Sequence, residues 1–155
     1  MIKFDYMQDT VDATAFTYEK MLASNVSTVG EVTTETSMIR VQDITALIGF
    51  NGKVIGSMLI SMKNDVALKT ISKFTMFEQT EIDDDVFDGL EEIVNIIAGA
   101  AAARFKTKAG LGLPTILLGE NQRIRGSEES PWKLQTVQSE ALGEFLLGIT
   151  LKEVQ

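Results

Sequence analysis

Two side chains set three residues apart could work together chemically: the carboxylate of Glu92 and the carboxamide of Asn95. A carboxylate can pair with a cation, and a carboxamide both donates and accepts hydrogen bonds, so it can hold a water molecule in a fixed direction. Asp88 and Gly99 extend the row with spacings of 4, 3 and 4. At about 100° per residue those spacings place all four positions on one face of a helix. The chemistry that such a row offers is positioning: a charge to register a partner and an amide to orient a small molecule.

Composition removes the competing chemistries. The chain has no histidine and no cysteine. A thiolate nucleophile, a disulfide and a Ser-His-Asp triad are therefore impossible, and a catalytic zinc lacks its usual ligands. The 14 basic and 22 acidic residues give a net charge of −8, which argues against binding nucleic acid through its phosphates. No apolar run approaches twenty residues and the stretch MIKFDYMQDT has no signal-peptide pattern, so the sequence predicts a cytoplasmic protein without a membrane span. Its 155 residues fit one domain, 1–155, large enough to bury a core without disulfides.

The elements that must position the row follow from periodicity. Met7, Val11, Ala15, Tyr18 and Leu22 recur at helical spacing and predict a helix from about Tyr6 to Ser24. Val and Thr enrichment predicts one strand from about Thr28 to Met38. Ile44, Ala46, Ile48 and Phe50 alternate, Asn51-Gly52 follows, and Val54 to Met62 is again strand-like, which predicts a hairpin whose turn residues both take positive φ. Gly56 marks a bulge or a close approach. Asn64 is expected to cap a short helix ending near Phe74. Asp83-Asp84-Asp85 opens the main helix, expected to run to about Lys108 and to be ended by Gly110 and Gly112. Glu120 to Ser130 reads as a loop or irregular crossover, followed by strands near Trp132–Gln138 and Leu142–Lys152. The fold class is α+β, two-layered, with long helices covering one face of a largely antiparallel sheet.

On the main helix Val86, Leu90, Ile93, Val94, Ile97, Ala101 and Phe105 form the apolar stripe that must face the sheet. Asp88, Glu92, Asn95 and Gly99 lie roughly opposite it. Asn in mid-helix costs a few tenths of a kcal/mol, roughly, and Gly about 1 kcal/mol against Ala. Ala102 and Ala103 continue a smooth surface that a partner backbone could approach. Spacing alone leaves a second reading open, a solvated helix face whose small residues pack against another helix of the same chain.

The stretch Gly89-Leu90-Glu91-Glu92-Ile93-Val94-Asn95-Ile96-Ile97-Ala98-Gly99 resembles the signature helix of the CheC/CheX/FliY phosphatases of bacterial chemotaxis, with Glu92, Asn95 and Gly99 in the places of a Glu-x-x-Asn-x-x-x-Gly pattern. Leu113-Pro114-Thr115-Ile116 and Gly119 resemble the family's segment after that helix, and the hairpin with Gly52 and Gly56, followed by a helix containing Ala67, is similar too. The likeness runs from about Ile44 to the end. A single Glu-x-x-Asn resembles CheX-like members, because Tyr18-Glu19-Lys20-Met21-Leu22 in the first helix has no Asn three residues after Glu19. The resemblance implies a CheC-like fold, a homodimer and a phosphorylated CheY-like response regulator as partner. It implies that Asn95 orients the attacking water, that Glu92 pairs with the receiver's lysine, and that Asp88 and Gly99 help to dock the partner. It implies no cofactor of the chain's own, the Mg²⁺ being held by the receiver. A non-catalytic receiver-binding or flagellar-switch-type docking domain is the alternative.

Other groups carry less. Asp83-Asp84-Asp85 is explained by the helix dipole and no metal site is expected. Arg123 and Arg125 read as loop solubility, Ser127, Ser130 and Lys133 lack motif spacing, Trp132 reads as a core or interface residue, and the seven methionines read as core filler.

Overall fold

The structure, a computed structural model, describes residues 5–154. Residues 1–4, which open the segment read for a signal peptide, lie outside the described residues, as does residue 155. The chain runs α1 (Tyr6–Leu22), β1 (Val26–Glu35), β2 (Met38–Arg40), β3 (Ile44–Gly52), β4 (Val54–Met62), α2 (Asn64–Thr75), α3 (Asp84–Arg104), β5 (Ala109–Leu111), β6 (Thr115–Leu118), β7 (Arg123–Arg125), β8 (Trp132–Ser139) and β9 (Gly143–Glu153). This is the expected α+β fold. A seven-stranded sheet follows the order β1-β8-β9-β4-β3-β5, with β6 also on β3, and every pairing in it is antiparallel.

Alternation along the central strands divides the core in two. Ile44, Ala46, Ile48, Met58, Ile60, Phe145, Leu147 and Ile149 point to the helices and pack with Leu90, Ile93, Val94 and Ile97 of α3. Leu59, Leu47, Leu134 and Leu146 point the other way. There a small ribbon, β2 paired with β7, lays Ile39 and Ile124, with Val41, over Trp132 and the leucines of the sheet. The second face is thus partly roofed by the ribbon, a feature that a two-layer description omits.

Several expected boundaries move, each for a local reason. The strand expected over Thr28–Met38 is two strands, β1 in the large sheet and β2 in the ribbon, with Thr36 and Ser37 between them. Asn51-Gly52 is not a two-residue turn. β5 pairs with the free edge of β3 (Asn51↔Gly110, Gly52↔Ala109), so Asn51 stays in the strand and only Gly52 takes a positive φ of 96°. Gly56 is a close approach: at φ 144° its missing Cβ would run into the carbonyl oxygen of Thr150 on β9.

Asn64 is the first residue of α2 and not its cap. Lys63 takes the cap position without a side-chain bond, and the Asn64 amide donates instead to Asp43 Oδ2 at 3.0 Å. α3 stops at Arg104, short of Lys108. Phe105 turns extended and buries its ring edge-on against Tyr6 (4.9 Å between centroids) and beside Phe50 (5.4 Å). Gly110 and Gly112 therefore follow the helix without ending it; Gly110 belongs to β5, and the Gly112 amide bonds the Gly49 carbonyl. The Glu120–Ser130 crossover contains β7, so Arg123 and Arg125 sit on a ribbon strand. Of the methionines, Met7, Met58 and Met62 are core, while Met21, Met38 and Met76 are exposed.

Candidate functional site on the outward face of α3

α3 begins where the acidic run predicts. Asp83 is the N-cap, its Oδ1 accepting from the Val86 amide at 3.3 Å, and Asp84 and Asp85 fill the first turn. Carboxylates are favourable there because the free N–H groups and the helix dipole are positive. Val86, Leu90, Ile93, Val94, Ile97, Ala98 and Ala101 are all buried, which fixes the rotation of the helix against β3 and β4. With the apolar stripe inward, Asp88, Glu92 and Asn95 are exposed and Gly99 is half-buried. The structure thus gathers the four candidate residues on one outward row.

Among the described residues neither Glu92 nor Asn95 has a hydrogen-bond or ion-pair partner. The row is also electrically one-sided. α3 carries Asp84, Asp85, Asp88, Glu91 and Glu92 and no basic residue until Arg104, in its last turn. Asp88 and Glu92, four apart, repel each other, a pairing that weakens a helix by roughly 0.2–0.5 kcal/mol. Among the described residues no cation forms an ion pair with either. Arg104 itself is turned away, bonding the Ala100 carbonyl and lying 5.3 Å from the centre of the Phe16 ring on α1.

Two glycines on this helix answer to different demands. A Cβ at Gly89 would meet Ile71 side-chain atoms at 2.9 Å, so that glycine lets α2 lie against α3. A Cβ at Gly99 would find only Leu111 Cδ1 at 3.9 Å, an ordinary contact. Nothing in the packing of the described residues requires glycine at 99.

The row is flanked by a recess of about 400 Å³ between α3 and the α2–α3 loop, where Phe74, Phe77, Gln79 and Asp85 join Asp88 and Glu92. Sequence reasoning passed over Phe77 and Gln79. The signal was present as an apolar pair, Met76-Phe77, placed directly after a short helix and before a polar stretch. Among the described residues no group of three or more His, Cys, Asp or Glu is placed to hold a metal ion. Ser130 bonds Thr150 and Ser127 caps the Ser130 amide, which brings neither to Lys133 as a reactive pair. Trp132 is buried, 2% exposed, and its Nε1 donates to the Arg125 carbonyl at 3.3 Å.

Comparison with known proteins bears on the same residues. The sequence profile of the family described as chemotaxis phosphatase CheX matches residues 44–136, a span that includes α3 and the whole row. Among curated protein sequences none matches significantly. The CheX chemotaxis protein of Desulfovibrio desulfuricans is similar in structure, with a TM-score of 0.83 at 20% identity over 96% of this chain and 100% of that one. CheX of Vibrio vulnificus gives 0.83 at 18% identity, covering 98% of this chain and 99% of the other. CheX of Borrelia burgdorferi, solved in complex with CheY, BeF3 and Mg²⁺, gives 0.74 at 20% identity over 97% and 100%. At these identities the structural likeness speaks to the fold.

Proposed function

From the premise that the chain belongs to the CheX chemotaxis phosphatase family, we propose that it hydrolyses the aspartyl phosphate of a CheY-like response regulator from the outward row of α3. One observation carries the assignment of residues: Glu92 and Asn95 stand one turn apart, exposed and without a partner among the described residues, on a helix face that has no cation of its own. The Borrelia relative, caught with CheY, supports the class of partner.

Docking sets the register. The Glu92 carboxylate pairs with a lysine of the receiver, and the surrounding carboxylates favour the approach of that cation. Asn95 then lies over the phosphoryl group. Its carboxamide oxygen accepts a hydrogen bond from a water and holds it in line with the phosphorus. The water oxygen forms the new P–O bond, the bond from phosphorus to the aspartyl oxygen breaks with its electron pair going to the carboxylate, and inorganic phosphate leaves. The receiver's Mg²⁺ neutralises phosphoryl charge, and the chain needs no cofactor of its own. Positioning of this kind suits a reaction with little covalent work for the enzyme. An acyl phosphate already hydrolyses unaided, and a hundredfold acceleration asks for only about 2.7 kcal/mol.

Gly99 fits the same reading. Open space for a Cβ means the residue is not needed by the fold, whereas a close-lying partner backbone would need it. The proposal includes a homodimer, supported by β1, a ten-residue edge strand, shifted in register between Val29 and Thr33, that pairs only with β8 among the described residues. A sedimentation mass of one chain would remove that element. Among the described residues no helix is long and apolar enough to cross a membrane.

The test is loss of phosphoryl group from a phosphorylated CheY-like receiver with wild type, Asn95→Ala and Glu92→Ala. Acceleration by wild type that Asn95→Ala abolishes, with receiver binding retained, is the expected result. Binding without acceleration sinks the catalytic reading and leaves a docking module.

A further inference from the structure

α2 ends at Thr75 with Met76 in the left-handed region, φ 62°. The turn sends Met76 and Phe77 outward, 89% and 75% exposed. Their backbone is nonetheless held. The Thr75 hydroxyl, bonded to the Ile71 carbonyl at 2.8 Å, accepts from the Phe77 amide at 3.3 Å, the Gln79 side-chain amide donates to the Phe77 carbonyl at 3.3 Å, and the Gln79 backbone amide reaches Ser72 Oγ at 2.8 Å. A large aromatic ring is thus presented to solvent on a fixed backbone, which spares a partner the cost of ordering it. Exposed apolar side chains of this size beside a polar rim mark interaction sites.

The place of the ring indicates the occupant. Phe77 lines the recess that also contains Asp85, Asp88 and Glu92, and among the described residues no Lys or Arg lines it, whereas Lys20, Lys69 and Lys73 line a second recess that Phe77 shares with Met76. A group that fills such a recess must carry positive charge at its tip and apolar surface along its stem. A lysine does both: its methylenes cover an aromatic wall and its ammonium reaches the carboxylates. The recess is continuous with the row assigned to the receiver, and Glu92 belongs to both.

Resting on the receiver-phosphatase reading, we propose that Phe77 is an apolar docking element for the same phosphorylated receiver. It packs beside the lysine that Glu92 meets and sets affinity for the receiver, with no part in the hydrolytic step. Phe77 does not touch the reacting atoms, so its removal acts on complex formation alone.

The experiment measures initial dephosphorylation rates against receiver concentration for the full chain and for Phe77→Ser, Phe77→Leu and Phe16→Ser. Phe16 is the control, an exposed ring on α1 that does not line the recess and is flanked by Lys20 and Arg104. Phe77→Ser raises KM about thirtyfold, the smallest loss expected for a hot-spot aromatic. It leaves kcat within about twofold and the melting curve unchanged, Phe77→Leu recovers part of the loss, and Phe16→Ser matches wild type. A KM unchanged in Phe77→Ser, or a fall confined to kcat, overturns the proposal. Titration with receiver loaded with beryllofluoride separates it from the reading beneath it. Wild-type binding that weakens in Phe77→Ser, without any hydrolysis, overturns the phosphatase and supports the docking element. Hydrolysis indifferent to Phe77 does the reverse, and absence of both binding and hydrolysis overturns both.

Discussion

α1 and α3 lie side by side on the same sheet, yet they spend their polar residues in opposite ways. α1 turns its polar groups inward. Thr10, Thr14, Thr17 and Tyr18 are buried, and the Thr10 and Thr14 hydroxyls return to the carbonyls of Tyr6 and Thr10 at 2.7 and 2.8 Å. On its exposed side Gln8 bonds Asp12, and Phe16 is flanked by Lys20 and by Arg104 of α3. α3 buries only apolar side chains and glycine, and leaves Asp88, Glu92 and Asn95 outward. A helix that carries four polar side chains into the core is finished by folding. One whose polar residues stay unmatched is finished by something else. The contrast assigns structure to α1 and encounter to α3.

Tyr18 is the place to strike that division hardest. Its ring stacks on Phe145 at 5.0 Å in the core, and its hydroxyl is buried without a hydrogen-bond partner among the described residues. Burial holds that phenol neutral, well above its ordinary pKa. Tyr18→Ala should cost about 3–5 kcal/mol in a denaturant melt, as for other large aromatic deletions, while turnover per folded molecule stays at the wild-type value. Tyr18→Phe keeps the ring and removes the unpaired hydroxyl, so it should be neutral or stabilising by about 1 kcal/mol. A turnover loss in either variant that outlasts correction for unfolding would erase the division of labour.

On α3 the expected signs reverse. Glu92→Gln should melt no lower than wild type, because it relieves repulsion with Asp88, yet raise KM for the receiver about tenfold, or about 1.4 kcal/mol. That loss should shrink as salt is added, since the wild-type attraction is screened. A KM indifferent to the substitution at low salt would free Glu92 from the partner. Gly99→Ala gives the smallest effect and the sharpest opposition. It should raise stability by about 0.5–1 kcal/mol in thermal melts, because the Cβ has room, while receiver binding weakens severalfold. Binding unchanged in Gly99→Ala would mean that no partner backbone comes close at that point.

Legibility in the sequence followed the same division. The row on α3 could be read directly because a long helix has one rotation that buries Val86, Leu90, Ile93 and Ile97, and that rotation fixes Asp88, Glu92 and Asn95 outward. The central strands were equally plain, since Ile44, Ala46, Ile48 and Phe50 alternate without interruption. What escaped depended on long-range pairing. Asn51-Gly52 looked like a tight turn until β5 claimed the far edge of β3, and the end of α3 was set by Phe105 finding Tyr6 and Phe50, contacts that local spacing does not reveal. β2 and β7 are three residues each, too short for periodicity, and they exist because Ile39 and Ile124 cover Trp132. Phe77 was missed because an apolar residue in a loop is read as incidental until its neighbours are known.

The chain's one tryptophan sits beneath that ribbon, on the sheet face away from the helices. Light emitted by Trp132 therefore reports on whether the roof is closed and is blind to the outward row of α3. Substitutions at Glu92, Asn95 or Phe77 can be followed against an internal optical standard that their own chemistry cannot disturb.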